Sequence, residues 1–223
     1  MVESSKSPWE PHWGRAYDPE TKRNLLEPIF EELESAGKIG NVVVDVGSGA
    51  HPITKLLSSK PARKIIAVDI VGENGEMFDR RQIKFDAEKI DAHGTLSYKK
   101  ALLRVSRFLG VNPRAETNKE HADTIIFSEI LNYVDYQRVL GGFSKYLKPG
   151  GRLIVINRPG RGIWQFFHER GVKNNKDLFN FLEDHNFDVE YKESPSFTYT
   201  SDSGGTIFLV AVKRPTGGAR SAT

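Results

Sequence analysis

The segment from Asn41 to Pro52 constrains the fold more than any other part of the chain. It reads NVVVDVGSGAHP, an apolar run with one acid, Asp45, that leads into a Gly-x-Gly turn. A nearly continuous apolar run is typical of a parallel strand buried on both faces. Glycines after it let the backbone turn tightly near a ligand, and a proline suits the first turn of a helix. The segment therefore predicts a strand, a ligand-binding loop and a helix.

Two residues near this turn distinguish between kinds of nucleotide ligand. In a dinucleotide-binding loop, a small residue stands three positions after the second glycine, where the helix packs closely. Pro52 occupies that position here. Asp45 precedes the first glycine by two residues, and a carboxylate at this edge of a sheet would repel a pyrophosphate but attract a cation. Both residues disfavour a nicotinamide-dependent oxidoreductase, which is the alternative enzyme class.

Asp-x-Gly-x-Gly after an apolar strand resembles motif I of the class I S-adenosylmethionine-dependent methyltransferases. Further motifs follow in that family's order over roughly residues 41–213. The most recognisable is LKPGG at residues 147–151, between an apolar helix and an apolar strand. The resemblance implies an α/β fold, a three-layer Rossmann-like sandwich with a mostly parallel seven-stranded sheet and an antiparallel last strand. It also implies S-adenosyl-L-methionine as the cofactor.

The ends of the predicted strands supply the candidate cofactor contacts. Lys64–Asp69 is the predicted second strand, and an acid at its end can accept both hydroxyls of a ribose. Residues 82–88 predict a short third strand, and the resemblance implies that Asp86 accepts from the adenine amino group. Residues 122–129 predict the fourth strand, whose end borders the crevice where open α/β sheets bind ligands. The predicted cofactor-binding residues are Asp45, Gly47, Ser48, Gly49, Asp69, Ile70, Asp86, Ala87, Ser128, Glu129 and Leu131.

The remaining pattern predicts the elements that complete the domain. Apolar residues at helical spacing predict a helix over residues 21–36, which Pro28 should kink or restart and Gly37 should end. The last two predicted strands are joined by too short a connection for a crossover helix, so they should pair antiparallel. The other predictions are a helix over residues 53–59 and strands over residues 152–157, 187–191 and 206–213.

The length of 223 residues fits one domain with short extensions. Crowded rings near the N-terminus, including His12, are interpreted either as packing at a core edge or as a lid over cofactor and substrate. A basic helix face from Lys99 to Arg107 is interpreted as solvated, with an anionic partner as the alternative. The predicted division is a lid over residues 1–20, a methyltransferase domain over 21–213 with an insertion at about 92–121, and a disordered tail over 214–223.

Charge and residue usage exclude several classes of protein. The 32 basic and 29 acidic residues nearly balance, which disfavours a nucleic-acid partner. The absence of cysteine excludes disulfides and thiolate metal sites, and we expect no metal. No apolar run could span a bilayer and no signal-peptide pattern is visible, so a cytoplasmic protein without a membrane partner is expected. The sequence leaves the oligomeric state open.

Methyl transfer from a sulfonium mainly requires positioning of the acceptor, and a general base is optional. His168, after the predicted fifth strand, is the first candidate for a catalytic base, followed by Tyr133 and His12. No Asn/Asp-Pro-Pro-Tyr/Phe motif follows the fourth strand, which disfavours amino-methylation of nucleic acids. We therefore expect O- or N-methylation of a small, partly apolar or aromatic acceptor, as in natural-product biosynthesis. The sequence does not distinguish oxygen, nitrogen and carbon as the nucleophile. The non-enzyme alternative is a cofactor-binding partner subunit without activity.

Overall fold

The computed structural model describes residues 19–48, 53–57, 63–69, 82–84, 122–157, 168–193 and 207–215. Gly49, Ile70, Asp86, Ala87, His12 and the insertion at about 92–121 lie outside these residues, as do residues 1–18 of the predicted lid. The elements in chain order are α1 Pro19–Ser35, β1 Val42–Val46, a 3₁₀ helix Ile53–Leu56, β2 Lys64–Asp69, β3 Gln82–Lys84, β4 Ala122–Ser128, α2 Tyr136–Ser144, β5 Leu147–Asn157, α3 Asn175–Asp184, β6 Phe187–Glu193 and β7 Ile207–Lys213.

The described strands form one seven-stranded sheet in the order β3-β2-β1-β4-β5-β7-β6. β1 pairs parallel with both β2 and β4, and β5 continues the sheet parallel to β4. β7 lies between β5 and β6 and is antiparallel to both. This confirms the predicted fold class, including the reversed last strand. The strand order changes direction at β1 and β4, which makes a topological switch point there.

Helices cover both faces of the sheet. Successive strand residues alternate between the faces, and apolar residues lie on each of them. One face packs β-strand residues such as Val44, Phe127 and Val155 against apolar residues of α2 and α3. The other face packs Val43, Ile126, Ile154 and Phe208, among others, against Leu26, Phe30 and Leu33 of α1. The rings of Phe30 and Phe208 meet edge to face with centroids 6.2 Å apart. The two buried faces confirm the three-layer arrangement.

Helix α1 ends as its sequence predicts. Gly37 has a φ of +65°, which a glycine adopts without the steric cost that a Cβ imposes. The Lys38 N–H donates to the Leu33 carbonyl over 2.7 Å, closing the last turn of the helix. Pro28 lies inside the helix. No helix among the described residues is long and apolar enough to cross a membrane.

Two elements differ from the sequence prediction. The predicted helix over residues 53–59 is a 3₁₀ turn at Ile53–Leu56, because the Leu57 N–H reaches back three residues to the Thr54 carbonyl at 3.2 Å. The fifth strand begins at Leu147 instead of residue 152. Ala122 pairs with Leu147 while Thr124 pairs with Arg152, so the residues between them bulge out of the ladder.

The start of the predicted tail is held against β6. Arg214 Nε donates to the Asp188 carboxylate at 2.7 Å, and its backbone N–H donates to the Asn186 carbonyl at 2.8 Å. Residues 216–223 lie outside the described part of the chain. The prediction of a disordered tail therefore applies to residues beyond 215.

A buried ion pair joins α1 to the start of β2. Arg63 Nη1 contacts Glu34 Oε1, and the two side chains are 2% and 10% exposed. Arg63→Met or Glu34→Leu alone should lower the free energy of unfolding by about 3–5 kcal/mol, because each removes the opposite charge that the remaining buried charge contacts. Urea denaturation measures this loss.

The double variant Arg63→Met/Glu34→Leu is the matched control for this pair. It should regain much of the lost stability, since neither charge stays buried. A double variant that loses the sum of the two single losses would contradict an interaction between these residues.

Candidate functional site

The carboxyl ends of β1, β2, β4 and β5 meet at one edge of the sheet because these strands are parallel. Asp45 pairs in register with Ala67 on β2 and with Ile126 on β4. Strand alternation therefore places Asp45, Asp69 and Ser128 on the same face, the one that α1 covers. Strand spacing and rise put the Cα atoms of Asp45 and Asp69 about 8 Å apart. The structure brings these three predicted residues together.

The first glycine of the turn is required by packing as well as by conformation. Gly47 has a φ of +73°. A Cβ at this position would lie 2.6 Å from Ile130 Cδ1, closer than carbon atoms approach. The N–H groups of Gly47 and Ser48 donate to the Val68 carbonyl at 2.8 and 3.3 Å, so these donors serve the fold. Gly47 thus fixes how closely the turn after β1 approaches the segment after β4.

Asp45 has no exposed surface. Its Oδ2 accepts from the Thr54 hydroxyl at 3.2 Å and from the Thr54 N–H at 3.4 Å. These bonds hold together the two ends of the loop that follows β1. Asp69 ends β2 and is 8% exposed. When ionised, these two buried acids on neighbouring strands give this part of the edge a negative potential, which suits a cation. Their contacts with a cofactor stay predictions.

Three buried side-chain oxygens at this edge have no hydrogen-bond partner in the described part of the chain. They are Ser48 Oγ, Ser128 Oγ and Asn157 Oδ1. A buried polar atom without a partner costs about 1–3 kcal/mol, so native proteins contain few of them. Ser48 and Ser128 are predicted cofactor-binding residues, whereas sequence reasoning missed Asn157. A polar residue that ends an apolar strand at the ligand-binding edge was the available signal.

The segment after β4 begins with a residue in a backbone conformation that most residues avoid. Glu129 has a φ of +61°, and its N–H donates to the Ile156 carbonyl at 2.7 Å. Leu131 is fully buried in the core, and its carbonyl accepts from the Val172 N–H at 2.9 Å. Ser128, Glu129 and Leu131 thus lie beside the switch point, with Leu131 packed inward. Their contacts with a cofactor stay predictions.

The two residues predicted to be catalytic lie on segments that contact each other. The His168 N–H donates to the Asn132 carbonyl at 3.1 Å, next to Tyr133. The Arg170 N–H donates to His168 Nδ1 at 3.0 Å, so a neutral ring carries its proton on Nε2. Tyr133 is half-buried, and its N–H donates to the Ile130 carbonyl at 2.9 Å. A role as a base stays a prediction for both side chains.

A family model described as a methyltransferase domain matches residues 15–189. The chain belongs to this family. This membership confirms the predicted family and the enzyme class, and it decides against the nicotinamide oxidoreductase. It also supports S-adenosyl-L-methionine, the cofactor implied by the sequence. A comparison with curated proteins gives no match.

Solved structures with different activities resemble this methyltransferase. The 1,6-didemethyltoxoflavin-N1-methyltransferase of Burkholderia thailandensis, with bound 1,6-didemethyltoxoflavin and S-adenosylhomocysteine, is 14% identical with a TM-score of 0.58, covering 91% of this chain and 84% of its own. The CurJ carbon methyltransferase is 15% identical with a TM-score of 0.51, covering 91% of this chain and 59% of its own. The [4+2]-cyclase SpnF is 14% identical with a TM-score of 0.50, covering 84% of this chain and 80% of its own. At these identities the likeness shows the fold alone.

The contact between Gly47 and Ile130 can be tested against a second glycine. Gly37→Ala should cost about 1–2 kcal/mol from positive φ alone, because nothing lies within 4 Å of the new Cβ. Gly47→Ala should lose about 1–3 kcal/mol more, because its Cβ overlaps Ile130. Urea denaturation of both variants measures the difference.

The double variant Gly47→Ala/Ile130→Gly separates the overlap from the strain. It should recover the extra loss relative to Ile130→Gly alone, since the overlapping Cβ, Cγ1 and Cδ1 atoms of residue 130 are gone. Equal losses for Gly37→Ala and Gly47→Ala would show that the close approach has no energetic consequence.

Proposed function

We propose that the protein transfers a methyl group from S-adenosyl-L-methionine to an oxygen or nitrogen of a small, partly apolar or aromatic acceptor in the cytoplasm. The observation that carries this proposal is the set of buried oxygens at the switch point that find no hydrogen-bond partner among the described residues. They include the Oγ atoms of Ser48, which follows β1, and of Ser128, which ends β4. The two residues are 3% and 5% exposed. A bound ligand with polar groups would satisfy them at the position where α/β sheets bind nucleosides.

The charge of the site fits the proposed cofactor. S-adenosyl-L-methionine carries a sulfonium and an ammonium, and the buried carboxylates of Asp45 and Asp69 would balance positive charge. Asp69, at the end of β2, is assigned to the ribose hydroxyls. Asp86 and Ala87 are assigned to the adenine from the family resemblance.

The reaction requires little covalent chemistry from the protein. When bound, S-adenosyl-L-methionine supplies a methyl group on a positively charged sulfur. The acceptor atom forms a bond to the methyl carbon while the carbon–sulfur bond breaks, and its electron pair returns to sulfur as the neutral thioether. The acceptor's proton leaves to a base or to solvent. The chain's own contribution is to orient the acceptor and exclude water, effects that can supply about 7–11 kcal/mol.

The hydrogen bonds of His168 favour a positioning role over the predicted role as a base. Its Nδ1 lone pair already accepts from the Arg170 N–H at 3.0 Å. To take a proton from an acceptor through Nε2, the neutral ring would have to change tautomer and give up that bond. Holding the loop after β5 against Asn132 requires no such change.

Support for a small heteroaromatic acceptor comes from a structural neighbour. The Burkholderia enzyme is an N1-methyltransferase of 1,6-didemethyltoxoflavin. We extend this acceptor class to the present chain, whose predicted lid and the segment after β5 are rich in aromatic residues. Oxygen and nitrogen acceptors are both included.

Asp69→Ala tests the assigned ribose contact. Loss of a hydrogen bond to a charged group should weaken binding of S-adenosylhomocysteine by about 1.5–3 kcal/mol, measured by calorimetry. Asp184→Ala is the matched control, because Asp184 is an exposed acid at the end of α3 and should leave affinity unchanged. Unchanged affinity in Asp69→Ala would contradict the assignment.

NADH should not raise the melting temperature of the wild-type protein, whereas S-adenosylhomocysteine should.

Two substitutions at His168 separate a base from a positioning residue. His168→Asn keeps an oxygen that can accept from the N–H two residues on, as asparagine does in turns, but it has no titrating ring. A positioning role predicts that His168→Asn retains activity and His168→Ala loses it. A general base predicts a loss of about 100- to 10,000-fold for both variants, together with an altered pH profile.

The assay for these variants is release of S-adenosylhomocysteine with a panel of small phenols and nitrogen heterocycles, detected by mass spectrometry. Turnover by the wild-type chain with any of them supports the proposed function. Binding of S-adenosylhomocysteine without turnover on any acceptor would instead favour the partner subunit without activity.

A further inference from the structure

Asn157 is the last residue of β5 and has no exposed surface. Its Oδ1 has no hydrogen-bond partner in the described part of the chain. A carbonyl oxygen kept in this state costs stability, and an apolar residue of similar size would avoid the cost. None of the assigned cofactor contacts uses this atom. Its position therefore calls for a ligand.

The other end of the same amide is already engaged. Asn157 Nδ2 donates to Asn132 Oδ1 at 3.1 Å, and Asn132 is 2% exposed. The backbone carbonyl of Asn132 in turn accepts from the His168 N–H. This chain of contacts fixes the orientation of the Asn157 amide, so the group left for a ligand is a hydrogen-bond acceptor.

The place of Asn157 in the sheet separates it from the cofactor carboxylates. β5 lies on the far side of β4 from β1, so Asn157 is two strands, or about 10 Å, from the end of β1. Strand alternation puts Asn157 on the face of Leu153 and Val155, opposite the face of Asp45, Asp69 and Ser128. A cofactor held by those three residues leaves the β5 end of the crevice for the second reactant.

We propose that Asn157 Oδ1 accepts a hydrogen bond from an N–H or O–H group of the methyl acceptor and so selects acceptors that carry such a donor. The proposal rests on the proposed function, since it concerns the second reactant of that transfer. Asn132 is a positioning residue that holds the amide. An acceptor without the donor leaves Oδ1 buried and unpaired, so the site discriminates against it.

The test uses the full chain saturated with S-adenosylhomocysteine and three pairs of probes. Each pair contains a donor and its methylated counterpart: uracil and 1,3-dimethyluracil, lumazine and 1,3-dimethyllumazine, phenol and anisole. Dissociation constants are measured by ligand-observed NMR for the wild type, Asn157→Leu and Asn157→Asp. Asn157→Asp keeps an acceptor oxygen at the position and loses only the donor to Asn132, whereas Asn157→Leu removes both groups.

The wild type should bind the donor of at least one pair more tightly than its methylated counterpart. Asn157→Leu should weaken donor binding by about 10- to 100-fold, with little effect on the methylated probe. Asn157→Asp should keep the preference, which guards against a general loss of structure in Asn157→Leu. Melting temperatures report whether the variants fold. Affinity for S-adenosylhomocysteine reports the cofactor half of the site and should change by less than about twofold.

Several results would overturn the assignment. A preference that survives in Asn157→Leu, or no binding of any probe to the saturated chain, removes the proposed contact. Weaker S-adenosylhomocysteine binding with unchanged probe selectivity would assign Asn157 to the cofactor instead. A crystal structure of the wild type with a bound probe and an ordered water on Oδ1 would identify water as its partner. Failure of the wild type to bind S-adenosylhomocysteine would refute the proposed function itself.

Discussion

The architecture depends on the close approach of two turns at the centre of the sheet. β1 pairs parallel with both β2 and β4, so the turns after β1 and β4 leave the same edge side by side. They fit because residue 47 is a glycine with a φ of +73° whose missing side chain makes room for Ile130. A larger residue would push apart the two turns and, with them, Asp45 and Ser128. The glycine thus sets how closely the two turns approach each other.

Polar side chains at the two edges of the sheet differ in their hydrogen bonding. At the amino edge, Asp123 accepts from the Val42 N–H at 2.8 Å and from Lys148 Nζ at 2.6 Å, and Thr124 Oγ1 accepts from the Gly40 N–H at 3.0 Å. These groups find partners within the protein and fasten β1 to β4. At the carboxyl edge, Ser128 Oγ and Asn157 Oδ1 have none in the described part of the chain. Since each such atom lowers stability, the contrast marks the carboxyl edge as the functional one.

Sequence reasoning succeeded where a pattern has one physical meaning. Buried strands read as apolar runs, the family resemblance implied the seven-stranded sheet, and the short connection before β7 predicted its antiparallel pairing with β6. It failed where pairing overrides local pattern. Pro149 and the glycines at 150–151 predicted that the strand begins only after them. Instead, Leu147 already pairs with Ala122 of β4, and the residues between Leu147 and Arg152 bulge out of the ladder. The 3₁₀ turn at Thr54 likewise depends on Asp45, nine residues earlier, and no local preference reveals that contact.

The site was predictable in part for the same reason. Acids and glycines at strand ends are visible in a sequence, and Asp45, Gly47 and Asp69 come together as expected. Asn157 was missed because its importance lies in what surrounds it. Its Nδ2 donates a hydrogen bond to Asn132, and its Oδ1 is buried with no partner among the residues that the structure describes. A sequence gives the residue type at a strand end, but satisfaction of a hydrogen bond is a property of the packed structure.

The separation of the two halves of the site also explains how one fold accommodates several reactions. An N-methyltransferase, a carbon methyltransferase and a cyclase resemble this chain over most of its length. The fold therefore does not select the reaction. Here the carboxylates of β1 and β2 face one side of the sheet, and Asn157 of β5 faces the other. Because the two sets lie on opposite faces, we expect that a substitution at the end of β5 can change the choice of acceptor without moving the carboxylates.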